Sequence, residues 1–212
     1  MRVVKEAEER KNEILDAAER LFAAKGFDGT STGEILEAVG IARGTLYYHF
    51  KSKEEILDAM VSRMTLRLVE QAEVVVAQKN VPVLQRFVMM MFSLNVGRDS
   101  FGQELLRQIH MPQNALMHQK MEKTLLSGIV PVITGLINEG IEQGICQTEY
   151  PEEVAEMTFL YANTVFDNLM KLKEEERQRK IDAFIYNLER LLNQERDSMK
   201  QVIMPLFQDG GK

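Results

Sequence analysis

At 212 residues, with 45% hydrophobic and 27% charged side chains, the chain has the composition of a soluble globular protein and not of a disordered one. Its one cysteine, Cys146, excludes an intrachain disulfide and a Cys-based zinc cage, and suits a reducing cytoplasm. The net charge of −6 argues mildly against a nucleic-acid partner. Residues 1–63 hold ten Lys/Arg against twelve Asp/Glu, a balance of −2. From Ile41 to Lys53, however, stand Arg43, Lys51, Lys53 and His49 with no acid among them, so positive charge is concentrated on one short element.

The opening residues MRVVKEAEER carry no secretory h-region. The stretch Phe87–Leu94, taken as the densest apolar one, is far shorter than the roughly 18 residues of a membrane span, and no membrane contact is expected. A first helix is expected over roughly Glu8–Lys25, with Ile14, Leu15, Ala18, Leu21 and Phe22 on one face and Gly26 as its stop. Ser31-Thr32-Gly33-Glu34 reads as a capping box opening a second helix that ends at Gly40. Ser52-Lys53-Glu54-Glu55 reads as another, opening a long helix that reaches about Ala77.

Between Gly40 and Ser52 there is room for one short helix, Arg43–Phe50. At about 100° per residue, Leu46 and Phe50 fall on one side, ready to pack with Ile35, Val39 and Ile41. Gly44 and Tyr48 point the other way, flanked by Thr45 and Tyr47. Such a face suits a DNA major groove. Glycine lets the backbone approach, threonine can bond a base edge or touch a thymine methyl, and tyrosine hydroxyls reach phosphates. Arg43 can reach a guanine edge or a phosphate. Two tyrosines alone would favour an ordinary exposed helix. The two short helices, the tight turn at Gly40 and the clean inward/outward division favour the DNA reading.

From Ile14 to about Met60, through AAERLFAAKGFDGTS, the Gly40 turn, GTLYYHF and KSKEEIL, the chain resembles the TetR family of bacterial transcriptional regulators. The resemblance implies an all-α, nine-helix fold. A three-helix, helix-turn-helix DNA-binding domain (1–53) would precede a larger effector-binding and dimerisation domain (54–205) and a loose tail (206–212). By position it implies that Thr30, Ser31 and Thr32 meet phosphates. Arg43, Gly44, Thr45 and Tyr48 would face bases or backbone, Tyr47 and His49 would hold phosphates or brace the helix, and Lys53 would grip a phosphate. Ala42 stands where members often have a serine cap, and Leu36 where they usually have a small residue.

Beyond Ala77, the residues Asn80, Pro82, Asp99-Ser100, Pro112, Gly135, Gly140, Gly144 and Pro151 are candidate helix boundaries. The segment LINEGIEQG (136–144) and the following Pro151-Glu152-Glu153 resemble the family's junction before its last two helices, expected here near 151–172 and 178–203. In the family that pair joins its twofold mate, which implies a homodimer on a palindromic double-stranded operator. Val154, Met157, Leu160, Tyr161, Val165 and Leu169, with Ile181, Phe184, Ile185, Leu188, Leu191 and Leu192, form stripes that a dimer or a monomer's own core could bury.

Ten of the thirteen methionines lie between Met60 and Met170. Each alone is most simply core filler. Together they suggest a soft interior for a small apolar or aromatic effector, with Met64, Met89, Met90, Phe92, Phe101, Phe159 and Phe166 as candidate walls; Tyr161 also fits. Asn163 and Asp167 could orient a polar group there or lie on a dimer seam. His110, His118 and Cys146 match no metal-ligand spacing, and no catalytic set or cofactor fingerprint is present, so neither metal, cofactor nor enzyme activity is expected. A ligand-responsive repressor is the leading expectation and a DNA-bound adaptor under a protein partner the second. A cavity of several hundred Å3 would favour the first, a closed interior the second.

Overall fold

The computed structural model describes residues 2–94, 107–108, 111–166 and 172–202. Among these residues the chain is helical without strands. The α-helices are α1 (Arg2–Lys25), α2 (Thr32–Val39), α3 (Arg43–His49), α4 (Lys53–Val76), α5 (Val83–Ser93), α6 (Ala115–Glu142), α7 (Pro151–Phe166) and α8 (Glu174–Leu191), with a 3-10 turn at Pro112–Asn114 before α6. Asp99-Ser100, Phe101, His110, Asp167, Leu169, Met170 and the tail 206–212 fall outside the described residues, as do the side chains of Phe92 and Phe166.

Two compact units form. The first comprises Met1–Arg67 with Asn95–Thr124, and the second Leu68–Leu94 with Leu125–Lys212. The head unit therefore extends well past residue 53. Its interior is supplied by Ile14, Ala18 and Phe22 of α1, Ile35 of α2, Leu46 of α3, and Ile56, Leu57 and Met60 of α4, all at most 1% exposed. Arg63 on α4 fastens that helix to α1 through Asp16 and Glu19, each at 2.7 Å.

The second unit has its own core. Phe87, Val88 and Met90 of α5 cluster with Ile129, Ile133, Leu136 and Ile137 of α6, Val154, Ala155, Phe159 and Ala162 of α7, and the inner stripe of α8. The α6 stripe repeats at 3- and 4-residue steps, as helical packing demands. An 18-residue window of α6 has mean hydropathy 1.4, which by length and composition would suffice to cross a membrane. Among the described residues, α6 therefore holds an apolar stretch of membrane-spanning length, unlike the shorter Phe87–Leu94. Its buried stripe supplies the core just described.

Two boundaries differ from expectation. Helix α6 runs unbroken through Pro131, Gly135 and Gly140. Gly140 marks a close approach: a Cβ there would stand 2.8 Å from the Cys146 sulfur, and its carbonyl accepts the Ile145 and Cys146 N–H groups. The helix ends beyond it, with Gly144 left-handed at φ 68°.

The last helix stops at Leu191 instead of continuing to residue 203. Asn193 takes a left-handed φ of 50°, and the chain folds back. The buried Glu189 carboxylate accepts N–H groups of Asp197 at 3.0 Å and Met199 at 2.9 Å. A side chain thereby satisfies donors that a continued helix would have bonded internally.

Candidate nucleic-acid interface

Residues 31–53 place the candidate DNA-reading face by local chemistry. The Ser31 hydroxyl accepts the Glu34 N–H at 3.2 Å while the Glu34 carboxylate accepts the Ser31 N–H at 2.8 Å, completing the capping box of α2. Lys25 bonds the same carboxylate and, with Ser31, lowers the Glu34 pKa to about 2. Gly40 ends α2 in the left-handed region at φ 71°, where a side chain would be strained, and turns the chain into α3.

Helix α3 divides as its spacing requires. Leu46 and Phe50 are buried, while Gly44 and Tyr48 face out; Tyr48 is 80% exposed and Tyr47 is 41% exposed. A Cβ at Gly44 would meet nothing within 4 Å, so the backbone there is open to a close-fitting partner. The Arg43 guanidinium lies 5.5 Å from the Tyr47 ring, and His49 meets the Tyr48 ring edge-on at 5.0 Å. Thr45 is half-buried beside them.

Ala42, the residue before α3, makes no side-chain cap. Ala42→Ser should therefore raise stability by about 0.5–2 kcal/mol, read as a higher thermal midpoint, because serine can bond an N–H in the first turn. The long helix α4 is better anchored: the Ser52 hydroxyl accepts the Glu55 N–H at 3.1 Å, and Glu55 reaches back to the Lys51 N–H.

Thr30, Ser31, Thr32 and Lys53 come together around one open hollow, with Asp28, Gly29 and Glu34. Thr30 differs from the phosphate role expected of it, and Lys53 is bonded within the chain. Thr30 is 1% exposed and its hydroxyl donates to the Gly26 carbonyl at 2.8 Å, so the side chain holds the α1–α2 turn from inside. Lys53 donates to the carbonyls of Phe27 at 2.7 Å and Thr30 at 3.0 Å, with its ammonium 4.2 Å from the Phe27 ring centre. An ammonium carries three donors, so one remains for an anion in the hollow.

Of the candidate effector residues, Met64, Met89, Met90, Phe159 and Asn163 have described side chains. Met64 belongs to the head unit, Met90 and Phe159 to the core of the second, and Met89 is 38% exposed. Consecutive helical residues point apart, which separates Met89 from Met90. Asn163 is half-buried. The second unit instead has a small apolar cavity of about 40 Å3, lined by Val83, Phe87, Leu136, Ile145, Cys146 and Met199 among others. None of these positions was expected to line a cavity, and Met199 joins them through the fold-back after Leu191. Burial raises the pKa of the Cys146 thiol.

The outer face of α7 carries Met157, Leu160 and Tyr161, and α8 carries Tyr186, all exposed. The inner stripe of α8 and Val154 lie in the chain's own core, so they are not free for a second copy. Tyr161 stacks on Phe184 at 5.7 Å, joining α7 to α8.

Comparison with known proteins agrees with this geometry. Residues 14–60 match the profile of bacterial regulatory proteins of the tetR family, and residues 99–186 that of the tetracyclin repressor-like C-terminal domain. The fatty acid metabolism regulator protein of Bacillus subtilis is 27% identical over 134 residues, 62% of this chain and 68% of that protein. The transcriptional regulator AcrR of Shigella flexneri is 49% identical over 51 residues, 24% of each chain. In fold, the chain is like FadR from Bacillus subtilis in complex with stearoyl-CoA, with a TM-score of 0.59 and 23% identity, covering 85% of this chain and 96% of that one.

Proposed function

The chain belongs to the TetR family of bacterial transcriptional regulators, and from that premise we propose that it is a homodimeric, ligand-responsive repressor acting in the cytoplasm. The observation that carries the DNA-reading assignment is the outward face of α3, where an unobstructed glycine stands beside exposed tyrosines on a helix otherwise rooted in the core. Each protomer would read one half of a palindromic operator, because one seven-residue helix presents too few side chains to specify a site alone. Met157, Leu160 and Tyr161 of α7 and Tyr186 of α8, exposed among the described residues, are apolar groups available for the twofold contact.

The effector proposed is a small apolar or aromatic molecule. A cavity of about 40 Å3 is too small to admit one without rearrangement, so the effector must displace side chains, which methionines permit at low cost. A closed interior was the mark of the adaptor reading, yet relatives named as repressors or metabolic regulators support the effector reading over it.

Tyr48→Ala should weaken operator binding about tenfold or more, and Thr45→Ala should cost discrimination at one base step in each half-site. Fluorescence anisotropy with operator duplexes checks both. Unchanged affinity in Tyr48→Ala, or an equal loss on every sequence in Thr45→Ala, would remove these residues from the reading face.

A further inference from the structure

Asn114 is 1% exposed and stands 87 positions from its main partner in sequence. Its Oδ1 accepts the Phe27 N–H at 2.9 Å, and its Nδ2 donates to the Gln108 carbonyl at 2.9 Å. The amide lies so close to the α1–α2 turn that a Cβ on Gly26 would stand 2.4 Å from Nδ2. Gly26 itself has φ 79°, so glycine is required there both for backbone conformation and for room.

The same turn is gripped from its other side. Lys53 holds the Phe27 and Thr30 carbonyls, and the Thr30 hydroxyl holds the Gly26 carbonyl. Phe27 is thus fixed at its N–H by Asn114 and at its C=O by Lys53. All of these contacts lie within the head unit. A buried backbone donor does not stay unpaired without cost. If the chain at Gln108–Asn114 shifts, the turn must follow it or leave the Phe27 N–H orphaned. Ser31 and Thr32, which line the hollow and open α2, follow the turn directly.

We propose that Asn114 is a positioning residue for DNA binding: it ties the α1–α2 turn to the segment that leads into α6, so that a displacement of that segment is transmitted to the residues opening α2. The proposal rests on the reading of the head as the DNA-binding face. It gives a route into that face that enters through the α1–α2 turn.

The test uses the full chain as wild type, Asn114→Ala and Asn114→Asp. Affinity is measured for a selected operator duplex and for a duplex of scrambled sequence, and amide exchange is followed over residues 26–34 and 115–124. Asn114→Ala should lose at least tenfold in operator affinity with scrambled-sequence affinity unchanged, and exchange at 26–34 should quicken. Asn114→Asp keeps an oxygen for the Phe27 N–H but sets its other oxygen against the Gln108 carbonyl, so it should recover only part of both. Should the alanine variant fail to fold, Asn114→Ser, too short to reach Phe27, carries the same expectations. A folded alanine or serine variant that binds like wild type, or one that loses scrambled-sequence affinity as much as operator affinity, would overturn the proposal. A wild type that does not distinguish operator from scrambled duplex would overturn the DNA reading and this proposal with it.

Discussion

Arg86→Leu should cost about 3–5 kcal/mol of stability, the range for breaking one side of a buried ion pair. Arg86 lies on α5 with its side chain 2% exposed and paired to Glu139 on α6. Its guanidinium also donates to the Val76 carbonyl at 2.7 Å and the Val81 carbonyl at 2.9 Å. One cation therefore joins the end of α4, the loop after it and α6. Leucine would strand both carbonyls and leave the Glu139 carboxylate only Lys79 and Gln143 as partners. Typical domains are stable by about 5–15 kcal/mol, so the loss would dominate a urea titration followed by circular dichroism. Lys79 also pairs with Glu139 but is 64% exposed, and Lys79→Ala should cost under about 1 kcal/mol.

The same pair sets an acid limit. Arg86 first, and then Lys79, hold the Glu139 pKa at about 2, below its ordinary 4.5. A carboxyl depressed in the folded state contributes stability that is fully present above pH 4.5. That contribution is lost as pH falls towards 2. Glu139→Gln should flatten the acid decline in that window and leave the slope above pH 5 unchanged. An unaltered acid profile in the variant would show that the pair does not govern acid stability.

Gly44→Glu should leave the chain folded and reduce operator affinity at least about 100-fold, or about 2.7 kcal/mol. A side chain at position 44 meets no neighbour, so the fold has no reason to object. Replacing glycine inside α3 removes a helix penalty of up to about 1 kcal/mol, and an acid in the first turn suits the helix dipole. Stability should be equal or higher. At the DNA the glutamate occupies the space needed for close approach and sets a negative charge against phosphates. Loss of binding with retained thermal stability is the expected pair of results. Retained binding would mean that another surface meets the operator.

What could be read in the sequence was what neighbouring residues decide. The Ser31–Glu34 capping box, the Gly40 turn and the inward set of Leu46 and Phe50 each depend on a few adjacent side chains. Thr30 and Lys53 were legible as lining one hollow, but not in the bonds they make within the chain. Lys53 bonds carbonyls 26 and 23 residues away, which no local pattern discloses. Asn114 went unnoticed for the same reason, its partner Phe27 being remote in sequence.

The end of the last helix shows propensity losing to a tertiary contact. Apolar periodicity continued through Leu192, yet Asn193 and the Glu189 carboxylate turn the chain back and bury Met199. Met199 reaches the wall of the small cavity through that turn. Methionine content marked the interior as soft without saying which residues face one another.

Selection of bound duplexes from a random-sequence pool, using the wild-type chain and Gly44→Glu side by side, tests the central claim most directly. The account predicts that the wild type enriches a palindrome whose half-sites are centred about 34–36 Å apart or a multiple of that spacing. The Gly44→Glu chain should enrich nothing. No enriched sequence from the wild type, or the same sequence from both chains, would contradict the assignment of α3 as the operator-reading helix.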